Sequence, residues 1–242
     1  MTPVRVNAVI QARMSSSRLP GKVLRPLGGR TVLSWVIRAA AAAHNVDAVI
    51  LATSASPEDD PVAEEAARCG ASVVRGSLDD VLARYLQAVH EHPCDAVVRL
   101  TADCPLHDPA LIAQVVGAWL ADPALDHVSN FLVRRHPRGF DTELVRVAVL
   151  EEQGRTATGT HREHVTSNIY TRPDVYRCAG VVSAVDNSDL RVTLDTPEDA
   201  ALLEAVVKGL GDDVPRWEDV VAFLRSHPDV AALNASVAQK AI

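Results

Sequence analysis

The stretch VRVNAVIQARMSSSRLPGK, residues 4–22, decides the fold, because an apolar run leads directly into a basic loop of small residues. Residues 4–10 are predicted to form a β-strand, since apolar and β-branched side chains dominate them. The run TVLSWVIRAAAAAH, residues 31–44, is predicted to be a helix with Thr31 as its N-cap. A strand, a loop and a helix in this order are typical of the first unit of a parallel α/β sheet.

Short apolar strands and helical segments continue to alternate as far as residue 130. Asp108 and Pro109 mark the start of one helix, as an N-cap followed by proline at the first helical position. Strands that are covered by helices on both faces are nearly continuously apolar, as these are. The sequence therefore predicts an α/β fold whose central, mostly parallel sheet is flanked by helices. The predicted strands are 46–52, 71–76, 95–101 and 126–130, and the predicted helices are 57–68, 78–92 and 109–122.

The alternation stops after Asn130 and resumes near residue 190. We interpret 131–189 as an excursion over the sheet, within a single domain of residues 1–242. Such an excursion is placed to carry substrate contacts or a subunit interface. The excursion contains a polar, turn-rich run at 134–141, a predicted helix at 160–170 and predicted extended structure at 174–185. After it come a predicted strand at 190–195, a predicted helix from Pro197 and a predicted helix at 217–227.

The composition excludes several classes of protein. A formal net charge of −7 argues against a general nucleic-acid binder, because binding to the phosphate backbone requires a basic face. Hydrophobic residues make up 48% of the chain, yet no apolar run is long enough to span a membrane. The four cysteines form no CxxC pair, and the N-terminus has no basic-then-apolar leader. These features predict a cytoplasmic globular protein with reduced thiols.

The basic loop after the first strand has the composition of an anion-binding site. Arg13 and Lys22 supply positive charge, while Ser15 and Gly21 allow the backbone to approach oxygen atoms closely. In an open parallel sheet, ligands bind beyond the carboxyl ends of the strands, which is where this loop begins. The loop matches neither the P-loop pattern GxxxxGK[ST] nor the dinucleotide pattern GxGxxG. On composition alone, it is either a phosphate cradle or an ordinary solvated basic loop.

Two aspartates follow predicted strands and are candidate ligands for a divalent cation. Asp103 lies just past one predicted strand, and Asp195 ends another. Mg²⁺ is commonly held by one or two carboxylates together with phosphate oxygens and water. The alternative is that both aspartates are turn or cap residues. The tetrad TPED at 196–199 repeats the pattern of SPED at 56–59, which is how helices ordinarily begin, so only Asp195 ahead of it points to chemistry.

Seven blocks of the sequence carry a family resemblance. They are IQARMSSSRLPGK at 10–22, the TS…DD stretch at 53–60, RGSLDDVLARY at 75–85, RLTADCPLHDP at 99–109, RGFDTEL at 138–144, REHVTSNIY at 162–170 and RVTLDTPEDA at 191–200. In this order they resemble the CTP-dependent sugar cytidylyltransferases, which include the CMP-Kdo and CMP-acylneuraminate synthetases. The resemblance is strongest to the spore coat polysaccharide branch of that family. Sugar-1-phosphate nucleotidyltransferases open instead with a glycine-rich loop, where this chain has Gln11, Ala12 and Arg13.

The resemblance implies a Rossmann-like nucleotidyltransferase (GT-A-like) fold and transfer of CMP from CTP to an acceptor oxygen, with release of pyrophosphate. It also implies Mg²⁺ dependence, with Asp103 and Asp195 as the metal ligands, and a homodimer. Arg13 and Lys22 are expected to act catalytically on the triphosphate. Thr101 stands where the sugar-acid synthetases carry a base-side glutamine, so base recognition is expected to differ in detail. The implied nucleotide-binding residues are Gln11, Ala12, Arg13, Ser15, Lys22, Arg75, Ser77 and Thr101, and the implied acceptor-binding residues are Asn130, Arg138, Asp141, Glu143, Arg162, Glu163 and His164.

The expected reaction is an in-line attack of the acceptor oxygen on the α-phosphorus of CTP, without a covalent enzyme intermediate. The expected partners are CTP and a small anionic acceptor, either a sugar acid or a phosphonate. Two other classes of function are open on the sequence. One is a GT-A-type glycosyltransferase, which usually carries a DxD motif that is absent after Asp103; the other is a non-catalytic nucleotide-binding subunit. His161 and His164 are spaced i, i+3, so a zinc pair is an alternative to two packed histidines.

Overall fold

A computed structural model describes residues 3–238 and contains a seven-stranded sheet. The strands are β1 (Val6–Gln11), β2 (Pro26–Leu27), β3 (Arg30–Thr31), β4 (Ala48–Ser54), β5 (Ser72–Gly76), β6 (Ala96–Thr101), β7 (His127–Ser129), β8 (Glu143–Arg146) and β9 (Cys178–Gly180). The order across the main sheet is β5-β4-β1-β6-β8-β7-β9, while β2 and β3 form a separate hairpin. Within this sheet only β8 runs antiparallel to its neighbours. The predicted sheet, mostly parallel, is thereby confirmed.

Helices cover both faces of the sheet. They are α1 (Val32–Ala42), α2 (Asp60–Arg68), α3 (Val81–Glu91), α4 (Pro109–Ala121), α5 (Val147–Thr156), α6 (Thr160–Glu163), α7 (Ser167–Tyr170), α8 (Pro197–Leu210), α9 (Trp217–Ser226) and α10 (Pro228–Ala231). α1, α2 and α4 pack on one face, and α3 and α5 pack on the other. α8 and α9 form a third apolar cluster beside α1. Among the helices within residues 3–238, none has the length and apolar character that crossing a bilayer requires.

Local capping signals set the start of two helices as the sequence predicts. The N–H of Ser34 donates to Oγ1 of Thr31 at 3.1 Å, which caps α1. The N–H of Ala110 donates to Oδ1 of Asp108 at 2.7 Å, and Pro109 occupies the first position of α4. Each cap satisfies a backbone donor that the helix itself leaves free. Both helices therefore begin at the residue that follows the predicted cap.

Residues 190–195 do not form the predicted strand. They make an isolated β-bridge, between Arg191 and Arg138, and are not part of the sheet in the described structure. Their alternate leucines and valine are buried in the cluster with α8 and α9. Burial of alternate side chains produces the same sequence pattern with or without strand pairing, and this is why the strand prediction was wrong. Asp195 consequently lies on an irregular segment rather than at the end of a sheet strand.

The helix predicted at 160–170 is also wrong in part, since the segment contains two separate turns of helix, α6 and α7. Val165 between them has φ +50°, a backbone conformation that a β-branched residue rarely adopts. The predicted extended segment at 174–185 contains a strand only at Cys178–Gly180. The excursion at 131–189 contributes two strands, β8 and β9, to the main sheet.

Candidate functional site

A cavity of about 610 Å³ opens at the carboxyl ends of β1 and β6. It lies between the loop that follows β1, the turn that follows β6 and the segment that leads into α8. The carboxyl edge of the parallel strands is where α/β proteins bind ligands. The predicted site residues that line it are Gln11, Ala12, Arg13, Ser15, Lys22, Thr101, Asp103, Arg138, Asp141, Glu143, Glu163, His164 and Asp195.

Two hydrogen bonds donated by backbone N–H groups support the loop after β1. The N–H of Met14 donates to Oδ1 of Asp59 at 2.6 Å, and the N–H of Gly21 donates to the carbonyl of Met14 at 2.9 Å. Gly21 has φ +70°, in the left-handed region that glycine adopts without strain. The chain then enters the short helix Lys22–Leu24, with Lys22 at the cavity. Asp59, which the sequence assigns only to a helix start, therefore also fixes this loop.

Lys22 links the two aspartates that the sequence nominates as metal ligands. Its Nζ lies 2.7 Å from Oδ2 of Asp103 and 2.7 Å from Oδ1 of Asp195. Burial acts to lower the pKa of Lys22, but the two carboxylates outweigh it and raise the pKa above its usual value. The basic loop and the two acidic segments thus converge at one point of the cavity.

Asp195 is surrounded by cations and is held through its backbone. Its Oδ2 lies 2.8 Å from Arg18 and 2.7 Å from Arg191. Burial acts to raise the pKa of Asp195, but Lys22 and these guanidinium groups hold the pKa below its usual range. The buried carboxylate of Asp199 accepts the N–H of Asp195 at 2.8 Å and pairs with Arg191. The tetrad TPED begins α8 as the sequence predicts, with a capping box between Thr196 and Asp199, and through Asp199 it also positions Asp195.

The pair of Asp103 and Asp195 fits a divalent cation of the Mg²⁺ type. Oxygens from both side chains contact the same nitrogen, so the two carboxylates already face one point. The N–H of Leu194 donates to the carbonyl of Asp103 at 2.7 Å and keeps the two segments together. Within the described ranges, no cluster of three or more acidic, histidine or cysteine side chains could hold a metal alone. The donor set therefore fits a hard cation that takes its other ligands from phosphate and water.

The opposite part of the cavity is built around Glu143 on β8. Its Oε1 lies 2.5 Å from Nη1 of Arg99. Its Oε2 accepts the hydroxyl of Thr166 at 2.6 Å and lies 2.9 Å from Nε2 of His127. Burial acts to raise the pKa of Glu143, but these partners outweigh it and lower the pKa to about 2. Both oxygens of Glu143 are thus engaged inside the protein, and they fix Arg99 at the cavity.

Two arginines ahead of β8 face the same part of the cavity. Arg134 forms a bidentate pair with Asp141, at 2.6 and 2.9 Å. In the described part of the chain, no ion pair joins Arg138 to a carboxylate. Burial and the positive charge of Arg134 lower the pKa of Arg138. The rings of Phe131 and Tyr170, with centroids 5.7 Å apart, complete this wall. Arg138 is therefore the side chain best placed here to meet a ligand anion.

Four predicted site residues do not line the cavity, because their side chains are engaged elsewhere. Arg75 donates to two backbone carbonyls, one at the end of β4 and one in the turn after it. Ser77 and Arg162 both contact Asp80 at the start of α3. Asn130 donates to the backbone of the segment before β8, at 2.8 Å. All four brace the segments around the cavity.

The predicted histidine pair does not form a zinc site in the described structure. Nδ1 of His161 lies 2.8 Å from Oγ of Ser167, while His164 lines the cavity. Within residues 3–238, no further histidine, cysteine or acidic side chain completes a metal-binding cluster with them. The two histidines therefore take separate roles.

Sequence reasoning missed several cationic residues of the cavity. Arg18, Arg84, Arg99 and Arg134 line it, and none was predicted as a site residue. Arg99 had a signal, since an arginine within the apolar strand DAVVRLT is costly to bury unless it is paired. Arg134 had none, because it lies in an irregular loop without periodicity.

Comparisons with known proteins identify the family of the chain. A family model described as cytidylyltransferase matches residues 7–209. The chain is 32% identical to the spore coat polysaccharide biosynthesis protein SpsF of Bacillus subtilis, over 92% of this chain and 95% of that protein. It is 39% identical to the 3-deoxy-manno-octulosonate cytidylyltransferase of Synechococcus elongatus, over 49% of this chain and 48% of that protein. A solved structure of a cytidylyltransferase from Leptospira borgpetersenii matches with a TM-score of 0.91 at 29% identity, over 95% of this chain and 97% of that chain.

Proposed function

Since the chain belongs to the cytidylyltransferase family and is a nucleotidyltransferase, we propose that it transfers CMP from CTP to an oxygen of a small anionic acceptor and releases pyrophosphate. One observation carries this proposal: Lys22, at the end of the basic loop, contacts both Asp103 and Asp195 inside the cavity. A triphosphate needs fixed cations at its outer oxygens and a divalent ion across them. This point of the cavity has the residues for both.

The loop after β1 binds the nucleotide in this proposal. Arg13 and Lys22 contact the β- and γ-phosphates and stabilise the charge that develops on the leaving pyrophosphate. Gln11, Ala12, Ser15 and Thr101 line the adjoining wall and are proposed to contact the rest of the nucleotide. Arg75 and Ser77, which do not line the cavity, act on this side only by holding neighbouring backbone.

Asp103 and Asp195 are the proposed ligands of Mg²⁺, which when bound neutralises phosphate oxygens and polarises the α-phosphate. The chain's own contribution is to hold the two carboxylates still. Arg18 and Arg191 do this for the side chain of Asp195. The backbone contact between residues 194 and 103 does it for the pair.

The acceptor occupies the part of the cavity between Arg138 and His164 in this proposal. Arg138 binds its anionic group, while Arg99 and Glu163 contact its other polar atoms. Burial lowers the pKa of His164, so its neutral imidazole is suited to take the proton of the attacking hydroxyl. The acceptor oxygen then attacks the α-phosphorus on the side opposite the leaving pyrophosphate. The bond that breaks is the one between the α-phosphorus and the oxygen that bridges it to the β-phosphorus. No covalent bond to the protein is formed.

Two acceptor classes suit this arrangement, a sugar acid and a phosphonate. Either one presents an anionic group to Arg138 and an oxygen nucleophile to the α-phosphorus. The Synechococcus relative is named for a sugar acid, 3-deoxy-manno-octulosonate, which supports the first class.

Pyrophosphate release tests the proposal. The purified protein is incubated with each of the four ribonucleoside triphosphates, with panels of sugar acids and phosphonates, and with or without Mg²⁺. We expect release only from CTP, only with Mg²⁺, and only with one acceptor class. Release from every triphosphate alike would reject the proposal. Turnover of a CDP- or UDP-sugar without any release from CTP would indicate a glycosyltransferase instead.

The family resemblance and the shape of the sheet support a homodimer. β9 is an edge strand, and the chain after it carries the exposed side chains of Val182 and Val185. A free edge beside exposed apolar residues favours association. We propose that 131–189 contributes the subunit interface.

The four cysteines are free thiols, which supports a reducing, cytoplasmic location.

A further inference from the structure

In the free protein, an ammonium group stands at the proposed metal position. We propose that Lys22 is a resident counter-ion of this position: it keeps divalent cations away from Asp103 and Asp195 until the triphosphate of CTP draws the ammonium out. Metal and nucleotide then enter together, rather than metal first. This inference rests on the proposed function for the identity of the two metal ligands.

The distances leave no room for ammonium and metal together. Nζ of Lys22 lies 2.7 Å from an oxygen of Asp103 and 2.7 Å from an oxygen of Asp195. Mg²⁺ binds carboxylate oxygens at about 2.1 Å, so it cannot reach both oxygens while Nζ remains between them. The side chains of Lys22 and Asp195 are only 11% and 10% exposed, so solvent does not separate the charges. One cation must leave before the other is bound.

The charge of the surrounding cluster leads to the same order of events. Among the described side chains of this cluster, three cations face three carboxylates, so their charges balance without metal. A divalent ion added alone leaves an excess of two positive charges in a partly buried place, which is unfavourable. A triphosphate brings negative charge that accepts both the metal and the displaced ammonium. The cluster consists of Lys22, Arg18, Arg191, Asp103, Asp195 and Asp199.

Lys22 can move without disturbing the aspartates. Its flexible side chain ends between them, in the cavity that the serines of the loop after β1 also line. Asp195 keeps its contacts to Arg18 and Arg191 when the ammonium leaves. The backbone bond from residue 194 holds Asp103 beside it. The two carboxylates are therefore expected to stay together in a variant that lacks the ammonium.

Titration of Mn²⁺ into the nucleotide-free protein, followed by the electron paramagnetic resonance of the free ion, tests the inference. We compare wild type, Lys22→Met and Lys208→Met; the last variant removes the same charge from the exposed face of α8. Wild type and Lys208→Met should bind Mn²⁺ weakly and alike. Lys22→Met should bind it about 10- to 100-fold more tightly, the range of ordinary coupling between sites. Adding Asp103→Asn to Lys22→Met should abolish the gain.

The same titration with the non-hydrolysable analogue α,β-methylene-CTP, corrected for the Mn²⁺ that the analogue binds without protein, gives a second readout. The analogue should raise the Mn²⁺ affinity of wild type by about 10-fold or more and should have a smaller effect in Lys22→Met. Tight Mn²⁺ binding to wild type without nucleotide would overturn the inference, as would an unchanged affinity in Lys22→Met. If Lys22→Met does not fold, the wild-type titrations decide, because absence of coupling to the analogue overturns the inference by itself.

These titrations need no turnover, so they separate this inference from the proposed function. A protein that gains Mn²⁺ affinity in Lys22→Met but releases no pyrophosphate from CTP would keep the inference and reject the function. If wild type releases pyrophosphate from CTP but binds Mn²⁺ tightly without nucleotide, the function is kept and the inference is rejected.

Discussion

Glu143 joins three strands or turns of the fold through one buried carboxylate. It contacts Arg99 on β6, His127 on β7 and Thr166 before α7. A buried charge is tolerated only when partners replace its water, and a partner left alone is costly. The carboxylate is therefore expected to stabilise the fold as well as to position Arg99.

The stability of wild type relative to Glu143→Gln should depend on pH. The folded pKa of Glu143 is about 2, below the unfolded value of about 4.3, so the unfolded state binds the proton first as pH falls. The contribution of Glu143 is then fully present above about pH 5 and is lost between about pH 4.5 and 2. Urea unfolding should give a difference of roughly 3 kcal/mol at pH 7, shrinking in acid. A difference that stays constant down to pH 3 would contradict this assignment.

Residue types and motif positions were sufficient to predict that Lys22, Asp103 and Asp195 lie close together, because each belongs to a distinctive block. The same features did not predict that Arg99 lies at the cavity. Its partner Glu143 lies directly opposite it across β6 and β8, and that register depends on the whole sheet. A lone arginine in an apolar strand indicates a buried pair, but it does not identify the partner.

The turn at Gly139 attaches the arginine-bearing loop to the segment that carries Asp195. The N–H of Arg138 donates to the carbonyl of Leu190 at 3.0 Å, and the N–H of Val192 donates to the carbonyl of Arg138 at 2.7 Å. Gly139 has φ +107°, and a Cβ there would lie 2.6 Å from the carbonyl carbon of Val192. Only glycine fits this close approach of two backbones.

Gly139→Ala should therefore destabilise the protein by about 2–4 kcal/mol, from the left-handed backbone and the collision with a neighbouring main chain. Gly117 provides the matched control. It lies within α4 with nothing within 4 Å of its Cβ position, so Gly117→Ala should be neutral or stabilising by about 0.5–1 kcal/mol. Thermal unfolding of both variants checks this. Equal effects at the two positions would show that the turn is not tightly packed.

Apart from the short hairpin of β2 and β3, the strands and helices before residue 130 could be predicted because each one carries its own local signal, an apolar run or a capped amphipathic segment. The strand β8 was not predicted, since its four residues follow a polar turn and gain their partners only from β6 and β7. The strand prediction at 190–195 was wrong for the opposite reason. Its alternation reflects burial against α8 and α9, not pairing with a strand.

At the scale of the whole molecule, the strand order determines where the chemistry lies. The parallel strands β1 and β6 are neighbours, so the loops at their carboxyl ends meet in one cavity. The reversed strand β8 brings Glu143 and the loop before it to the same edge. A net charge of −7 for the chain is thus compatible with a cavity that gathers cations locally.

The proposed dimer gives a prediction at this scale. Val182 and Val185, exposed by 53% and 65%, follow the edge strand β9. Replacing both with aspartate should shift the protein from dimer to monomer in sedimentation velocity, because charge opposes burial at an interface. Val4→Asp, at another exposed valine outside the segment 131–189, is the control and should leave the dimer intact. A monomeric wild type would reject the interface.

The central claim is that Lys22 and Asp195 act on one bound triphosphate, and pyrophosphate release by variants tests it most directly. With the acceptor that supports turnover in wild type, Lys22→Ala and Asp195→Ala should each lower the rate by about 10²–10³-fold, as loss of a contact to developing charge does. Lys208→Ala, on the outer face of α8, should retain the wild-type rate. Release at the wild-type rate from both Lys22→Ala and Asp195→Ala would contradict the account.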